Sequence, residues 1–199
     1  MAKSKNSFFA LIFRQKHIKR WGLMNSMIQE NLSEHISETA ILAHALAVIG
    51  NKYFGKSYDC GKVAELALFH DAPEVLTGDL PTPVKYFSPK MRESYAEIEN
   101  NAINDLISRL PAEMAEIYSE ILSPQTEEYK EFSKLVKAAD KLSALIKATN
   151  ETLAGNKEFE SAKASTERII SEMKCPELDY FLEHFYPAFK LTLDEMQNN

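Results

Sequence analysis

The stretch 67-ALFHDAPEVLTGDLPTP-83 places one histidine and three carboxylates within ten positions, and its apolar lead-in indicates the end of a buried helix. Pro73 ends that helix, because its ring clashes with the preceding turn and it has no N–H to donate. His70 and Asp71 point about 100° apart around the helix axis, yet both can reach one metal ion from the helix end. Glu74 joins them if the turn after Pro73 stays near helical. The stretch therefore predicts a metal site at a rigid helix end.

Nearly every other segment carries the helical period, and none has the alternation or β-branched density of a strand. Glycine (6) and proline (8) are sparse among 199 residues, which favours long regular elements over many turns. No repeat, low-complexity segment or linker divides the chain. We therefore predict an all-α fold, a single-domain helical bundle over residues 1–199. The predicted helices cover 7–18, 32–55, 61–71, 88–110, a short segment from Pro111, 127–155, 157–174 and 177–192, the last interrupted at Pro187.

Helix boundaries and buried faces can also be predicted from local residues. Asn31 and Glu34 form a capping box at the start of the second helix, with each side chain bonding the backbone N–H of the other residue. Ser88 is expected to cap the helix that opens with a proline. Ile98 on that helix and Ile117 on the next are predicted to face inward, because each falls on the apolar stripe of its helix.

Composition limits the partners and the compartment. The formal net charge of −6 weakens the case for a nucleic-acid polymer as partner, since backbone binding needs clustered lysine and arginine. Cys60 and Cys175 are far apart in sequence, so a disulfide framework is not expected and a reducing compartment is the simpler interpretation. The apolar run 39–50 is about half the length that spans a bilayer. We expect a cytoplasmic protein with no membrane partner.

Further ligands for a metal must come from other helices. His35 lies on the first turn of the second helix, and Asp140 lies among small and apolar residues in the middle of a long helix. A carboxylate in such surroundings is costly unless it is paired or bound to a metal. Lys137 or Lys141 could supply the pairing instead. Imidazole and carboxylate together suit Mn²⁺, Co²⁺ or Zn²⁺.

The order His35, His70-Asp71, Asp140 resembles the HD-domain superfamily of metal-dependent phosphohydrolases, whose ligands run H…HD…D. Further motifs are similar to those of the bacterial 5′-deoxynucleotidases in that superfamily, over nearly the full length. They are RW at 20–21, SEH at 33–35, HDAPEVLTGDLPTPVKYF at 70–87, KAAD at 137–140 and a C-terminal DYF…PAF…LDE pattern. The resemblance implies an HD-type helical bundle that hydrolyses deoxyribonucleoside 5′-monophosphates to deoxynucleoside and phosphate.

The resemblance also implies a role for each motif residue. One divalent metal ion, cobalt, manganese or a similar transition metal, would be held by His35, His70, Asp71 and Asp140. Glu74 would act as general base or orient the attacking water. Arg20 and Asp79 would be the other catalytic residues, and the Arg20 guanidinium would donate two hydrogen bonds to the phosphate.

For substrate binding, the resemblance implies contacts from Arg20 and from Trp21, which would lie along the sugar and disfavour a 2′-hydroxyl. Asp79 would accept a hydrogen bond from the sugar. The remaining substrate-binding residues would be Asp71, Leu80, Pro81, Thr82 and Asp140. The deoxyribonucleoside monophosphate is thus the expected small-molecule partner, and a homodimer is the expected assembly.

Structural alternatives remain at this point. His70 could be a core histidine, Glu74 could favour a helix N-terminus, Asp79 could be a turn residue, and Arg20 with Trp21 could be an ordinary cation and core anchor. Two other functions are also open. One is an HD-type hydrolase of nucleoside polyphosphates or cyclic dinucleotides, and the other is a non-catalytic metal- or nucleotide-binding helical protein.

Overall fold

A computed structural model describes residues 6–85 and 87–198. Tyr86 of the quoted motif and the two ends of the 1–199 domain assignment lie outside this part of the chain. The described residues form helices α1 to α11 and three 3₁₀ segments, in the following order. They are α1 Phe8–Ile12, 3₁₀ Phe13–His17, α2 Leu32–Tyr53, α3 Cys60–Phe69, α4 Glu74–Thr77, α5 Thr82–Lys85, α6 Pro89–Ile107, α7 Ala112–Leu122, α8 Glu127–Leu153, 3₁₀ Lys157–Phe159, α9 Glu160–Glu172, α10 Pro176–His184, 3₁₀ Tyr186–Lys190 and α11 Leu193–Gln197.

Helix α2 begins where the capping box predicts. The Asn31 side chain accepts from the backbone N–H groups of Ser33 and Glu34, and the Glu34 carboxylate accepts from the N–H of Asn31 at 2.9 Å. Ser88 likewise caps α6, accepting from the N–H of Met91 at 3.1 Å. Side-chain oxygens thus satisfy N–H groups that a helix start leaves without intrahelical partners.

The core lies where α2, α3 and α8 pack against one another. Each helix contributes small and aliphatic residues that are almost completely buried, which lets the three axes approach closely. They include Ala43, Leu46, Ala47, Val63, Ala67, Ala139, Leu142 and Leu145. A second buried cluster joins α1, the turn after α3, α6 and the end of α7, and it contains Phe8, Ala72, Leu106 and Leu122.

Two residues predicted to face inward are exposed. Ile98 on α6 is 50% exposed and Ile117 on α7 is 59% exposed, because these helices pack at the edge of the core and bury a narrower stripe than their apolar pattern suggests. The C-terminal region is also more broken than predicted. Residues 157–174 divide into a 3₁₀ turn and α9, and the chain leaves α-helical geometry just before Pro187.

The all-α prediction is confirmed, since the part of the chain that the structure describes contains a single antiparallel bridge, Lys19 with Asn31, outside its helices. That bridge closes the base of a loop between the first 3₁₀ segment and α2. No helix in the described ranges is both long and apolar enough to cross a bilayer. The packing of α2, α3 and α8 brings the first turn of α2, the end of α3 and the middle of α8 to one place.

Candidate active site

Three predicted metal ligands meet at the end of α3. The Nε2 atom of His70 lies 3.1 Å from Oδ2 of Asp71, and the Nε2 atom of His35 lies 3.6 Å from the same oxygen. One ligand atom from each of these residues falls within 4.8 Å of the other two. Asp140 adjoins the group through His35, whose Nε2 is 3.2 Å from Oδ1 of Asp140. The four side chains come from three helices, so only the tertiary packing assembles them.

His70 is oriented by the backbone of its own helix. Its Nδ1 lies 2.7 Å from the carbonyl oxygen of Ala67, which can only accept, so Nδ1 carries the proton. Its Nε2 is buried and, although Oδ2 of Asp71 lies 3.1 Å away, the geometry is not that of a hydrogen bond to any described residue. Burial lowers the pKa of His70, but the Asp71 carboxylate outweighs it and raises that pKa to about 9. The carboxylates around His70 therefore favour positive charge on its ring.

His35 lies beside it as a neutral ring. Its side chain is completely buried, and burial is the main reason that its pKa falls below the ordinary value. On the far side of the ring, Nδ1 lies 3.2 Å from Oγ of Ser143 and 3.6 Å from Oε1 of Glu30. Neutral imidazole is the form that binds metals, and these polar neighbours fix its orientation.

Asp140 is paired with a lysine, as one of the two sequence interpretations allowed. Its Oδ2 accepts a hydrogen bond from Nζ of Lys141 at 2.8 Å, so the pairing alternative applies to Lys141. Its Oδ1 faces His35 and the ligand group. Burial tends to raise the pKa of Asp140, but the His35 hydrogen bond and the Lys141 charge lower it well below the usual range. Asp140 is therefore a carboxylate with one oxygen left for the site.

Glu74 opens α4 and is buried, with 4% of its surface exposed. Nζ of Lys85, at the end of α5, donates to Oε1 of Glu74 at 2.9 Å. The other oxygen, Oε2, is buried and has no hydrogen-bond partner in the described part of the chain. Burial and the nearby Asp71 raise the pKa of Glu74 to about 8, against the opposing charge of Lys85. The sequence did not predict this partner, because nothing in the pattern says that α5 folds back onto α4.

Arg20 and Trp21 share one partner that sequence reasoning missed. Nε of Arg20 donates to Oε1 of Glu30 at 3.1 Å, and Nε1 of Trp21 donates to Oε2 of Glu30 at 2.8 Å. The Nη1 atom of Arg20 lies 3.7 Å from Oδ2 of Asp71, so the guanidinium borders the ligand group. The Trp21 ring packs on Phe159, with the ring centroids 5.2 Å apart. A glutamate directly before the capping box carries no signal of its own in the sequence.

The segment 79–82 links α4 to α5 at the edge of the site. Gly78 precedes it with φ of +74°, a conformation in which glycine is not strained. Burial lowers the pKa of Arg20, but nearby carboxylates, with Asp79 the last of them, raise it overall. Asp79 also adds to the raised pKa of Glu74, after burial and Asp71. The rest of the segment comprises Leu80 and Pro81, which are partly buried, and Thr82, which is exposed and begins α5.

Comparison with known proteins agrees with this fold and site. The family described as 5′-deoxynucleotidase YfbR-like matches residues 7–189. The 5′-deoxynucleotidase VV1113 of Vibrio vulnificus (strain YJ016) is 47% identical over 193 residues, covering 96% of this chain and 98% of that protein.

Solved structures share the same architecture. An HD-domain phosphohydrolase (lin2634) from Listeria innocua superposes with a TM-score of 0.78 at 25% identity, covering 92% of this chain and 88% of that one. The HD phosphohydrolase DatZ of cyanophage S-2L superposes with a TM-score of 0.64 at 23% identity, over 92% of this chain and 96% of that one, and shares the fold.

The resemblance that the sequence motifs carry is thereby confirmed, along with the HD-type fold and the enzyme class of 5′-deoxynucleotidase. The matching region spans the ligand group, Glu74 and the Arg20–Trp21 pair alike. The chain belongs to the YfbR-like 5′-deoxynucleotidase family.

Proposed function

We propose that this chain hydrolyses deoxyribonucleoside 5′-monophosphates at the side-chain group described above, with one divalent metal ion. The observation that carries the proposal is the convergence of His35, His70 and Asp71 within 4.8 Å at a buried helix end. In the reaction, water forms the new bond to phosphorus, the bond from phosphorus to the 5′ oxygen breaks, and deoxynucleoside and phosphate leave.

The donor set fits such a metal. Two imidazoles and a carboxylate suit transition-metal cations, and the buried Nε2 of His70 has no hydrogen-bond partner among the described residues. His35, His70, Asp71 and Asp140 would hold the ion. When bound, the cation supplies Lewis acidity, neutralising charge that develops on the phosphoryl oxygens. The structural neighbour DatZ was solved with dA and one catalytic Zn²⁺ ion, which agrees with this class of metal.

Glu74 is the proposed general base. Lys85 holds Oε1, which leaves Oε2 to accept a proton from the attacking water. A general base must be ionised. The Lys85 ammonium favours the ionised carboxylate of Glu74, whereas burial opposes its ionisation.

Arg20 and Trp21 are the proposed substrate contacts nearest the ligand group. Arg20 donates to Glu30 through Nε, so its two terminal nitrogens can both donate to a phosphate. Trp21 would lie along the sugar and disfavour a 2′-hydroxyl. Asp79, Leu80, Pro81 and Thr82 would line the sugar and base side, and Asp71 and Asp140 are the remaining proposed substrate-binding residues.

The charge around the site favours a monophosphate over a polyphosphate. Arg20, Lys85 and Lys141 border the site, and each is already paired with a carboxylate, of Glu30, Glu74 and Asp140 respectively. A triphosphate would need further lysine or arginine to balance its charge. This observation weighs against hydrolysis of nucleoside polyphosphates.

A phosphate-release assay tests the proposal. Purified protein is incubated with deoxy- and ribonucleoside monophosphates, a deoxynucleoside triphosphate and a cyclic dinucleotide, with Mn²⁺, Co²⁺, Zn²⁺, Mg²⁺ or chelator. We expect metal-dependent release from deoxymonophosphates above all others. Release chiefly from the triphosphate or cyclic dinucleotide would favour another HD-type hydrolase. No release with any metal would leave a non-catalytic binding protein.

Trp21→Ala tests the sugar contact within the same assay. The ratio of deoxy to ribo turnover should move toward one, and an unchanged ratio would remove this role from Trp21. The choice of cobalt or manganese, a homodimeric assembly, a cytoplasmic location and a single domain over residues 1–199 also remain predictions. Metal analysis of the isolated protein and light scattering test the first two.

A further inference from the structure

Two backbone hydrogen bonds join the two ends of the loop between the first 3₁₀ segment and α2. Leu32 N–H donates to the Ile18 carbonyl at 2.9 Å, and Arg20 N–H donates to the Glu30 carbonyl at 3.0 Å. These bonds bring the two arms of the loop together, so that the Glu30 side chain lies beside those of Arg20 and Trp21. The arrangement is antiparallel pairing over only a few residues.

Glu30 then divides its two oxygens between the two side chains. Oε1 accepts from Nε of Arg20 at 3.1 Å, and Oε2 accepts from Nε1 of Trp21 at 2.8 Å. Only 9% of the Glu30 side chain is exposed, so water competes little for these bonds. The same Oε1 lies 3.6 Å from Nδ1 of His35, on the side of the ring away from Asp71. One carboxylate thus borders both proposed substrate contacts and the back of a proposed metal ligand.

Trp21 needs such support. Its backbone φ is +58°, in the left-handed region that bulky side chains rarely adopt. Strained conformations persist only when surrounding contacts fix them. Here the Trp21 carbonyl accepts from the N–H of Met24 at 2.8 Å, the indole donates to Glu30, and its ring packs on Phe159.

We propose that Glu30 is a positioning residue, which aligns Arg20 with the phosphate and Trp21 with the sugar through one shared carboxylate. The inference rests on the proposed function, because it assigns the device that orients that function's substrate contacts. The inference explains why Arg20 donates to Glu30 through Nε. Nε points away from a phosphate that the two terminal nitrogens bind, so those nitrogens stay available for the phosphate.

The test compares Glu30→Gln with Glu38→Gln, which changes an exposed glutamate on α2. The amide keeps the shape of Glu30 but loses the charge and can accept through one oxygen only. We expect kcat/KM for a deoxymonophosphate to fall about 10- to 100-fold in Glu30→Gln, the effect of losing a charge-assisted hydrogen bond. The ratio of turnover on deoxy- to ribonucleoside monophosphates should also move toward one. Glu38→Gln should match the wild type in both.

A second measurement does not depend on turnover. Trp21 is the one tryptophan of the chain, so intrinsic fluorescence reports its surroundings directly. Glu30→Gln should shift the emission and Glu38→Gln should not. If the wild type releases no phosphate from any nucleotide, the proposed function fails, while the fluorescence still decides whether Glu30 holds Trp21.

A double-mutant cycle separates positioning from general damage to the fold. Glu30→Gln introduced into Arg20→Ala should cost less than it does in the wild type, because one of the two partners through which Glu30 acts is gone. Equal losses in both backgrounds, or unchanged emission and kinetics in Glu30→Gln, would overturn the proposal. If Glu30→Gln does not fold, Glu30→Asp takes its place in the cycle, since its shorter side chain cannot reach both donors.

Discussion

Nζ of Lys85 lies 2.9 Å from Oε1 of Glu74, while Oε2 of the same carboxylate is buried with no hydrogen-bond partner among the described residues. The two residues are eleven positions apart, on the short helices α5 and α4. The Lys85 ammonium also lies 4.9 Å from the centre of the Tyr95 ring, which fixes its place from the other side. This ion pair opposes the rise in the pKa of Glu74 that burial and Asp71 cause beside the ligand group.

Removing the lysine should therefore impair the base without removing the metal. In Lys85→Met the pKa of Glu74, already raised to about 8 by burial and Asp71, should rise further. We expect kcat at neutral pH to fall by about tenfold or more and to recover in part as the pH is raised. Phosphate-release assays at a series of pH values measure this change in kcat. Lys90→Met, an exposed lysine on α6, is the control, and an equal loss there would contradict the prediction.

Glu74→Gln should separate proton transfer from metal binding. Loss of a general base costs about 10²- to 10⁴-fold in rate. The metal content should stay at the wild-type level, because Glu74 lies outside the His35, His70 and Asp71 group. Kinetics and metal analysis on the same sample test both halves. A metal-free variant would show that Glu74 is a ligand instead.

His70→Ala should lose both metal and activity, since it removes a ligand whose Nε2 makes no other bond with the described residues. Dialysis against a chelator should reproduce the loss in the wild type, and added metal should restore only the wild type. His44→Ala on the exposed face of α2 is the matched control. Full metal content in His70→Ala would contradict the proposed ligand set.

Glu151 predicts an acid-sensitive fold. This fully buried carboxylate of α8 accepts from the backbone N–H groups of Met27 and Ile28, from Asn156 and from Lys147 at 2.6 Å. Burial tends to raise its pKa, but these donors lower it from 4.5 to about 2. The carboxylate thereby fastens the tip of the loop that carries Arg20 and Trp21.

Because the folded pKa is the lower one, this stabilisation is present above pH 4.5 and is lost as the pH falls toward 2. The shift corresponds to about 3 kcal/mol at neutral pH. Glu151→Gln should be less stable than the wild type by about that amount at pH 7. Its free energy of unfolding should also decline less steeply over this acid range. Urea unfolding at several pH values measures it, with Glu116→Gln on α7 as an exposed control. Parallel declines in both variants would exclude Glu151 as the cause.

Gly50 should not tolerate a side chain. A Cβ at this position of α2 would come within 2.6 Å of Cε2 of Tyr58 and 3.0 Å of Oε1 of Glu177. Both neighbours are held, since Tyr58 donates to Glu177 at 3.3 Å. Gly50→Ala should destabilise the fold by about 1–3 kcal/mol in thermal or urea unfolding. Gly22→Ala, with nothing within 4 Å of its Cβ, should stay within about 0.5 kcal/mol of the wild type.

Local rules in the sequence determined much of this protein. The helical period predicted the all-α fold, and Asn31 with Glu34 predicted the start of α2, because capping depends on residues that are neighbours in the chain. Pro73 likewise predicted the break between α3 and α4 that presents His70 and Asp71. The same local reasoning was wrong for Ile98 and Ile117, because an apolar stripe shows which face could be buried and not whether another helix covers it.

Only the tertiary structure decided which distant groups share a bond. Glu30 between Arg20 and Trp21, and Lys85 on Glu74, are ordinary charged residues in the sequence, and nothing local distinguishes them from a solvated surface. His35 and Asp140 also meet only because α2 and α8 pack side by side. The physical reason is that a carboxylate's partners are set by where the helices bring the chain, whereas helix formation itself depends on residues within a turn or two.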